Sequence, residues 1–487
     1  MQNNQEDITV IPILKLNDDC LLEVFSYFTP KEVMKLENVC TTFERVAQMF
    51  YRTCTTMNVN EYLDEKEILE ELSRKIGSYV RVLRSTMQTG GFLTAQVVKL
   101  LLPCYTNLEH LYLEEIAGLM DLAEHMAFLF TKLKTANLIN CELSDEVGAW
   151  IQVATKIESL SLASNYIRGS FLPSMKHLSN LKEIDLSRCD KLESQYFLEL
   201  CKNHPGLKSL GLLQWEHFSQ MCVDTIFDYL KELETLKIGH LKYDKVRSKI
   251  KYDILADLPK LIHLEFLSCS GCNYFDLLML LAYHDQLEYL HISLKAQDTY
   301  KYLAYDALIK FTKLKKFSIC CFFLNKAILL EELLIKLKCK KNLEEVVIMF
   351  ANVTNKGIYQ FIRMCPKLNW IDLYNCKSIT HEFLLLLNSH DVDWTSRHPL
   401  TIRMGVLDLE SSDEDEFEEE DYEFEDEEVE DEEVEEDEET EAEEVEKEKI
   451  KDVEVDDNER DKDLSFLSVI FLIFFFMIFL QINVIRS

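Results

Sequence analysis

The chain has 487 residues, enough to bury a large hydrophobic core, and a formal net charge of −34. That charge is concentrated in residues 408–463, where 36 acidic and 5 basic side chains give a net charge of −31. The rest of the chain carries 50 acids and 47 bases, which excludes a large basic excess of the kind that binds nucleic acid.

The N-terminal part is predicted to be a flexible lead, residues 1–14, followed by three short helices in residues 15–52. Asn17 can cap the first helix, and Thr29–Glu32 has the pattern of a capping box with proline at the first helical position. Thr41–Glu44 repeats the Thr-x-x-Glu pattern and predicts the start of the third helix. Such a unit is too small for a core of its own, so we expect it to lean on a partner.

This helical unit resembles the F-box. The residues that carry the resemblance are Leu16, the run Leu21–Phe28, Leu36, Val39, Cys40 and Phe43. The sequence departs from the family pattern at Asn17, where proline is usual, and it has no tryptophan near Phe50. The resemblance implies that an apolar surface docks a Skp adaptor, which in turn joins a cullin. The residues assigned to this contact are Leu16, Asn17, Leu21, Leu22, Val24, Phe25, Leu36 and Val39.

Residues 53–79 are predicted to be a helical connector, and residues 80–400 a repeat array. Eleven triplets of the form Leu-x-x-Leu-x-Leu recur about every 26 residues from Leu108 to Leu368, a period typical of leucine-rich repeats. Each triplet is a short strand that neighbouring strands must cover, and the segments between triplets have helical spacing. The sequence therefore predicts an α/β fold. It is a leucine-rich-repeat solenoid, a horseshoe with parallel strands on its concave face, preceded by a small all-α F-box.

A second repeat position lies eight residues after the first leucine of a triplet. Several repeats have cysteine or asparagine there, namely Cys141, Asn165, Cys189, Cys269 and Cys376. We interpret this side chain as buried and as serving the loop that leaves the strand. Such repeats resemble the cysteine-containing repeats of F-box leucine-rich-repeat proteins, although the middle repeats have Trp215 and Leu241 at this position.

Alternate strand residues are expected to face outward on the concave side. Trp370 and Tyr374 flank a carboxylate on the last triplet, and exposed aromatic residues of this type are common anchors of protein interfaces. A merely solvated strand face is the alternative interpretation. The candidate substrate-binding residues are His263, Glu265, Tyr289, His291, Trp370, Asp372 and Tyr374. The sequence names neither the substrate nor the signal that marks it.

The C-terminal part combines an acidic tract with an apolar segment. Residues 408–463 are predicted to be disordered because like charges repel and few apolar residues remain. Ser411 and Ser412 precede acidic residues, so they are candidate phosphorylation sites for an acidophilic kinase. Residues 464–482 carry no charge and would span roughly 28 Å as a helix, which predicts a C-terminal membrane anchor with the rest of the chain in the cytosol. Noncoding sequence translated in a gene model is the alternative source of this segment.

The 15 cysteines are interpreted as reduced packing residues, because several occupy the repeat position and the N-terminus lacks a signal-peptide pattern. Cys269 and Cys272 form a CxxC pair without a second ligand pair, so no metal site is predicted. The sequence contains no nucleophile elbow, Walker loop, dinucleotide fingerprint or zincin motif, and no cofactor is expected. We therefore predict a protein that is not an enzyme and that is cytoplasmic or nuclear.

Three functions stay open at this point. The first is the substrate-recognition subunit of a Skp-cullin-F-box E3 ubiquitin ligase, with the F-box on the adaptor and the repeat array on an unknown protein substrate. The second is a non-ligase scaffold whose acidic tail binds histones or other proteins. The third is a membrane-anchored adhesion or sensor protein, which the missing signal peptide opposes. Adaptor binding distinguishes the first function from the other two.

Overall fold

Parallel strands stacked in sequence order form the body of the molecule. The computed structural model describes residues 12–85, 94–239, 250–267, 275–295, 306–322, 327–387 and 399–405. Within these ranges, 14 strands form one parallel sheet in which each strand pairs with the strands before and after it in the sequence. This is the predicted α/β leucine-rich-repeat solenoid, which is therefore confirmed.

Each repeat contributes one strand, and the triplet leucines lie in it or within two residues of its ends. The strands are β1 (Thr56–Asn58), β2 (Val82–Ser85), β3 (His110–Glu114), β4 (Thr135–Ile139), β5 (Ser159–Ser161), β6 (Glu183–Asp185), β7 (Ser209–Leu213), β8 (Thr235–Gly239), β9 (His263–Leu267), β10 (Tyr289–Lys295), β11 (Lys316–Phe322), β12 (Glu345–Met349), β13 (Trp370–Tyr374) and β14 (Thr401–Gly405).

Helices and 3₁₀ turns connect successive strands. The N-terminal helices are α1 (Asp18–Phe25), α2 (Pro30–Leu36), α3 (Thr41–Tyr51) and α4 (Lys66–Ile76). Those between the strands are α5 (Ala95–Leu101), α6 (Ala123–Phe130), α7 (Gly148–Val153), α8 (Ser194–Asn203), α9 (Gln220–Tyr229), α10 (Phe275–His284), α11 (Ala327–Lys336), α12 (Asn355–Met364) and α13 (Glu382–Leu387). The core lies between the sheet and these connecting segments, where triplet side chains such as Leu111, Leu210 and Ile371 are fully buried.

The second repeat position serves the turn that leaves the strand. The Oδ1 atom of Asn165 accepts hydrogen bonds from the backbone N–H groups of Cys141 (2.9 Å) and Leu143 (3.0 Å). Its Nδ2 atom donates to the carbonyl oxygen of Leu162 at 2.8 Å. One buried amide therefore satisfies backbone groups of two successive repeats, as the sequence predicts. Cys269 lies outside the described residues.

The same turn places the residue before this position in the left-handed backbone region. Asn140, Ser164, Arg188 and Asn375 have φ angles of 53°, 59°, 60° and 50°. A positive φ is uncommon outside glycine, so its recurrence at equivalent places marks a shared turn geometry. This turn directs the chain out of the sheet toward the next connecting segment.

The F-box helices begin largely where their capping residues predict. Asn17 accepts a hydrogen bond from the N–H of Cys20 at 2.9 Å, and both halves of the Thr29–Glu32 capping box form. The third helix starts at Thr41–Glu44 as predicted, but the capping box expected from the Thr-x-x-Glu pattern does not form. Helix α3 begins at Thr41 itself, so Cys40 is the N-cap residue and no side-chain cap bond forms. The first residue of Thr41–Glu44 thus lies one position too late to cap the helix.

Helices α1 and α2 pack against α3, and α2 also packs against the connector helix α4. Glu37 accepts a hydrogen bond from the hydroxyl of Tyr51 at 2.6 Å and also pairs with Lys75 of α4. The buried side chains of the F-box and of the repeats belong to one continuous hydrophobic core. The support that so small a unit needs therefore comes first from the same chain.

The sheet extends beyond the predicted array at both ends. Strand β1 lies inside residues 53–79, so the predicted helical connector is only partly helical. It pairs with β2, the predicted first repeat. At the other end, β14 begins at Thr401, one residue after the predicted end of the array, and its first N–H donates to the carbonyl of Asn369 at 2.8 Å.

Residues 406–487 lie outside the described part of the chain. Ser411, Ser412, the acidic tract of residues 408–463 and the apolar segment of residues 464–482 therefore stay predictions. Within the described ranges, no helix combines the length and the apolarity that crossing a membrane requires.

Candidate functional site

The F-box presents an apolar surface to solvent. Val39 is 65% exposed and Tyr27 is 81% exposed, while Leu16, Phe28 and Ile13 are each about 40% exposed. Leu22, Val24 and Leu36 are partly exposed. We call the set Ile13, Leu16, Leu22, Val24, Tyr27, Phe28, Leu36 and Val39 the F-box apolar face. Several such residues together in one small unit are typical of an interaction surface.

Two residues assigned to adaptor contact are core residues instead. Leu21 and Phe25 are 0% and 1% exposed, because this side of α1 packs against α3. The ring of Phe25 contacts that of Phe43 edge to face, with centroids 5.4 Å apart. Their assignment to a contact surface is therefore corrected. Asn17 is exposed, but its side chain caps α1.

Sequence reasoning omitted Ile13, Tyr27 and Phe28 from the contact residues. Tyr27 and Phe28 follow Ser26, the C-cap residue of α1, so the turn between α1 and α2 leaves Tyr27 81% exposed and Phe28 38% exposed. Both residues lie inside the run that resembles the F-box. Helical spacing alone assigns Phe28 to the buried side of α1, which is why the pattern did not identify it.

The concave face separates the predicted substrate-binding residues into two groups. His263, Tyr289 and Trp370 stand in one register row of the sheet and are partly exposed. The neighbouring row contains Glu265, His291 and Asp372, each 4–7% exposed. Tyr374 is also buried, and its ring contacts that of Phe350 at 5.6 Å. The expected exposure is therefore wrong for these four residues, because neighbouring strands hold their side chains too close together for solvent to enter.

A buried polar cluster joins β8 to β11. Glu265 lies 3.2 Å from the Nζ atom of Lys237 and 3.3 Å from the Nε2 atom of His263. Burial alone would raise the pKa of Glu265, but the His263 hydrogen bond and the Lys237 charge outweigh it and lower the pKa to about 2. Glu265 is therefore an ionised, paired carboxylate at neutral pH.

His291 lies beside this cluster, with its Nδ1 atom 2.7 Å from the hydroxyl of Ser318. Burial disfavours the charged imidazolium and lowers the pKa of His291 to about 4, although Glu265 opposes that shift. The ring is thus neutral at pH 7 and is part of the packed interior of the concave face.

Asp372 is in a contrasting environment. Burial raises its pKa to about 6, and the guanidinium of Arg403, at 3.6 Å, only partly offsets that effect. Its Oδ1 atom is buried and has no hydrogen-bond partner among the described residues. Such an atom has lost its hydrogen bonds to water without gaining a full replacement. Asp372 therefore lowers the stability of the folded sheet.

The described residues contain no group of three or more histidine, cysteine or acidic side chains placed to hold a metal ion. All cysteines in these ranges are free thiols. Burial raises the pKa of Cys141, Cys189 and Cys321 to about 12, which suppresses the reactive thiolate form. These three thiols are therefore buried packing residues. The CxxC pair at Cys269 and Cys272 lies outside the described residues.

Comparison with known proteins gives an independent identification of the N-terminal unit. Residues 13–55 match the family model of the F-box domain, which agrees with the predicted unit at residues 15–52. No curated protein matches the chain.

Among solved structures, the fold is similar to that of Rad7 in the yeast Rad7–Elc1 complex, at 14% identity and a TM-score of 0.43, covering 79% of this chain and 90% of that one. It is also similar to the leucine-rich-repeat protein LegL7 of Legionella pneumophila, at 15% identity and a TM-score of 0.37, covering 61% and 96%. An internalin of Listeria monocytogenes matches at 16% identity and a TM-score of 0.29, covering 55% and 75%. The described part of the chain therefore contains a region that matches the F-box domain, residues 13–55, followed by a parallel-stranded leucine-rich-repeat solenoid.

Proposed function

We propose that this protein is the substrate-recognition subunit of a Skp-cullin-F-box E3 ubiquitin ligase. The observation that carries the proposal is the F-box apolar face, exposed on an F-box domain that leads directly into a repeat array. In this assignment the face binds a Skp adaptor, and the adaptor joins a cullin. Other subunits perform the chemistry.

The exposed apolar side chains of this face would gain hydrophobic free energy if a partner buried them. Burying a large apolar side chain stabilises a complex by about 1.5–3 kcal/mol, and the F-box apolar face has several such side chains in solvent. Leu21, Phe25 and Val33 form the interior of the F-box. Folding therefore does not require the apolar side chains of the face to be exposed. A partner with a complementary apolar groove would recover that free energy.

For the repeat array we propose that an unknown protein substrate binds the concave face. The partly exposed row of His263, Tyr289 and Trp370 is the favoured contact, and the buried row beside it acts by holding these side chains in place. Holding a substrate at a fixed distance from a charged conjugating enzyme raises its effective concentration, which is the contribution this chain would make to the reaction.

Affinity purification from cells with mass spectrometry tests the assignment. The unaltered chain should recover a Skp adaptor, a cullin and substrate candidates together. The double variant Leu22→Ala with Val39→Ala should lose adaptor and cullin while it retains substrate candidates. The control, Leu100→Ala with Val153→Ala, removes the same two residue types from exposed positions on the repeats and should behave like the unaltered chain. Adaptor recovery by a chain lacking residues 15–52 would contradict the proposal.

Location follows from the same assignment. We propose a cytoplasmic or nuclear protein, and the anchor at residues 464–482 stays a prediction because that segment lies outside the described residues. Alkaline carbonate extraction of membranes is the measurement for it. An anchored chain stays in the pellet, whereas complete release into the supernatant would remove the anchor from the account.

A further inference from the structure

A cationic groove lies where the F-box meets the first repeats. It has a volume of about 710 Å³ and is lined by residues at the end of α3 and at the edge of the sheet where β2 to β5 begin. The basic residues in its lining are Arg52, Arg81, Lys132, Lys134 and Lys156, and the acidic residue there is Glu109. We call this the cationic groove. It is separate from the F-box apolar face and from the concave row.

The register of the sheet explains the alignment of these charges. Backbone hydrogen bonds join Arg81 to Glu109, Glu109 to Lys134 and Lys134 to Glu158, so one residue from each repeat stands in a row along the edge. Adjacent strands are about 4.8 Å apart, which places consecutive members of the row within reach of one another. Lys132 and Lys156 precede Lys134 and Glu158 by two residues each, so they form a second row beside the first.

Not all of the positive charge in the groove is compensated. Glu109 pairs with Lys134 at 2.6 Å and with Arg81 at 3.7 Å. Lys132 donates to the carbonyl of Thr106 at 2.9 Å, which leaves its charge without a carboxylate. Arg52 and Lys156 are exposed, and neither has an ion-pair partner in the described part of the chain.

Farther along the same edge, three lysines pair with glutamates. Lys182 pairs with Glu158, Lys208 with Glu234 and Lys315 with Glu288, at 2.6–2.7 Å. The groove differs from these three positions because Lys132 and Lys156 have no carboxylate partner in the described part of the chain. The folded part as a whole has 50 acids and 47 bases outside the acidic tract, so the groove is an exception to the charge balance of the molecule.

We propose that the cationic groove binds an acidic peptide segment of a partner protein, with carboxylates at Arg52 and Lys156. A guanidinium can hold a carboxylate through two parallel hydrogen bonds, and a lysine farther along the groove adds a second point charge. A bound segment would contact both the F-box, through Arg52 at the end of α3, and the repeats, through Lys156 before β5. This site goes beyond the proposed ligase role and does not depend on it.

An acidic peptide fits the groove better than a nucleic acid does. Nucleic-acid binding gains its affinity from many phosphate contacts along an extended basic surface. The groove is lined by five basic side chains and one acidic side chain, far fewer cations than an extended nucleic-acid surface provides. A short acidic segment needs only the few cations that the groove provides.

Fluorescence anisotropy of labelled deca-glutamate with the full chain tests the proposal, at roughly 0.1 M salt, where the screening length is about 10 Å. Saturable binding is expected, and deca-glutamine should not bind. Arg52→Glu with Lys156→Glu should weaken binding at least about tenfold, because four units of charge change in the groove. The matched control, Lys99→Glu with Lys176→Glu, makes the same charge change at exposed lysines elsewhere and should leave affinity within about twofold.

Absence of saturable deca-glutamate binding to the unaltered chain would overturn the proposal, as would equal losses in the two double variants. A single-stranded deca-thymidylate that binds as tightly as deca-glutamate would replace the peptide assignment with a nucleic-acid one. Thermal unfolding should be unchanged in both double variants, since all four residues are exposed. Binding of the Skp adaptor should also be unchanged, which separates failure of this proposal from failure of the ligase assignment.

Discussion

The F-box apolar face and the buried row of the concave face differ in which side chains they expose to solvent. The F-box leaves apolar side chains such as Val39 and Tyr27 in solvent, whereas β9 to β13 bury polar side chains such as Glu265 and Asp372. Exposed apolar area is free energy that a partner can recover. Buried polar groups affect the stability of the fold first. The exposed side chains of the F-box are therefore available to a partner, whereas the side chains of the buried row contact neighbouring strands.

Glu265 and Asp372 show how different two buried carboxylates can be. They occupy the same register row, but Glu265 has a lysine and a histidine within 3.3 Å, and Asp372 has one guanidinium at 3.6 Å. The pKa is lowered to about 2 in the first case and raised to about 6 in the second. Partner number and distance decide whether burial of a charge stabilises or destabilises this sheet.

The largest expected effect separates the inside of the F-box from its outside. Phe25→Ala should destabilise the F-box by about 3–5 kcal/mol, because it removes a fully buried ring, while Val39→Ala should change stability by less than about 0.5 kcal/mol. Hydrogen exchange of the α1–α3 amides measures both. Equal protection in the two variants would show that Phe25 is not a core residue.

Acid titration tests how much the charge of Glu265 stabilises the fold. Its folded pKa is below the unfolded value of 4.5, so its contribution to stability is present above pH 4.5 and is lost as the pH falls toward 2. The unaltered chain should therefore exceed Glu265→Gln by roughly 3 kcal/mol at pH 7, and the gap should shrink below pH 4.5. Denaturant unfolding at several pH values measures the gap.

The control for that titration is Glu158→Gln, which removes a solvent-exposed partner of Lys182. Its effect should be much smaller at every pH, because a solvent-exposed ion pair contributes little to stability. A gap for Glu265→Gln that does not change with pH would mean that Glu265 acts through packing and not through its charge.

On the exposed row, Trp370→Ala should weaken capture of a concave-face partner by about 2 kcal/mol, roughly thirtyfold, without unfolding the array. Trp370 is partly exposed, whereas its neighbour Ile371 is fully buried, so Ile371→Ala should unfold the local repeat instead. Quantitative affinity purification, together with thermal unfolding of each variant, distinguishes the two outcomes. Unchanged partner capture by Trp370→Ala would remove this residue from the substrate surface.

Asp372 should give a smaller effect of opposite sign. Its folded pKa is above the unfolded value of 3.8, so the stability linked to its protonation is present below pH 3.8 and is lost as the pH rises through about 6. Asp372→Asn should therefore stabilise the chain at pH 7 by roughly 1–2 kcal/mol, with Arg403 losing a partner and reducing the gain. The advantage should decline toward pH 4. Destabilisation at pH 7 would mean that the ion pair with Arg403 outweighs burial.

The sequence predicts the fold well because the same leucine triplet recurs in nearly every strand. The spacing of the triplets identifies nearly all strands, and Asn165 shows that the second repeat position has the predicted role. The two ends of the array are less regular. Strand β1 has three residues and no leucine triplet, and β14 lies after a triplet-free stretch, so periodicity misses both.

The functional surfaces are less predictable. The alternation of residues along a strand shows which side of the sheet a side chain faces, but it does not show how closely neighbouring side chains pack around it. It places Glu265, His291 and Asp372 correctly on the concave side, but their burial depends on the packing of adjacent strands. The cationic groove was missed for a related reason. Arg52 and Lys156 are separated by more than 100 residues, and only the stacking of the repeats brings the two into one groove.

The claim that the F-box apolar face docks a Skp adaptor is tested most directly by titrating purified adaptor into the full chain in a calorimeter at several temperatures. If the face docks the adaptor, we expect one-to-one binding with a negative heat-capacity change, which marks the burial of apolar surface. Leu22→Ala with Val39→Ala should weaken affinity at least about tenfold, and the control Leu100→Ala with Val153→Ala should not. No saturable binding to the unaltered chain, or equal weakening by both pairs of substitutions, would contradict it.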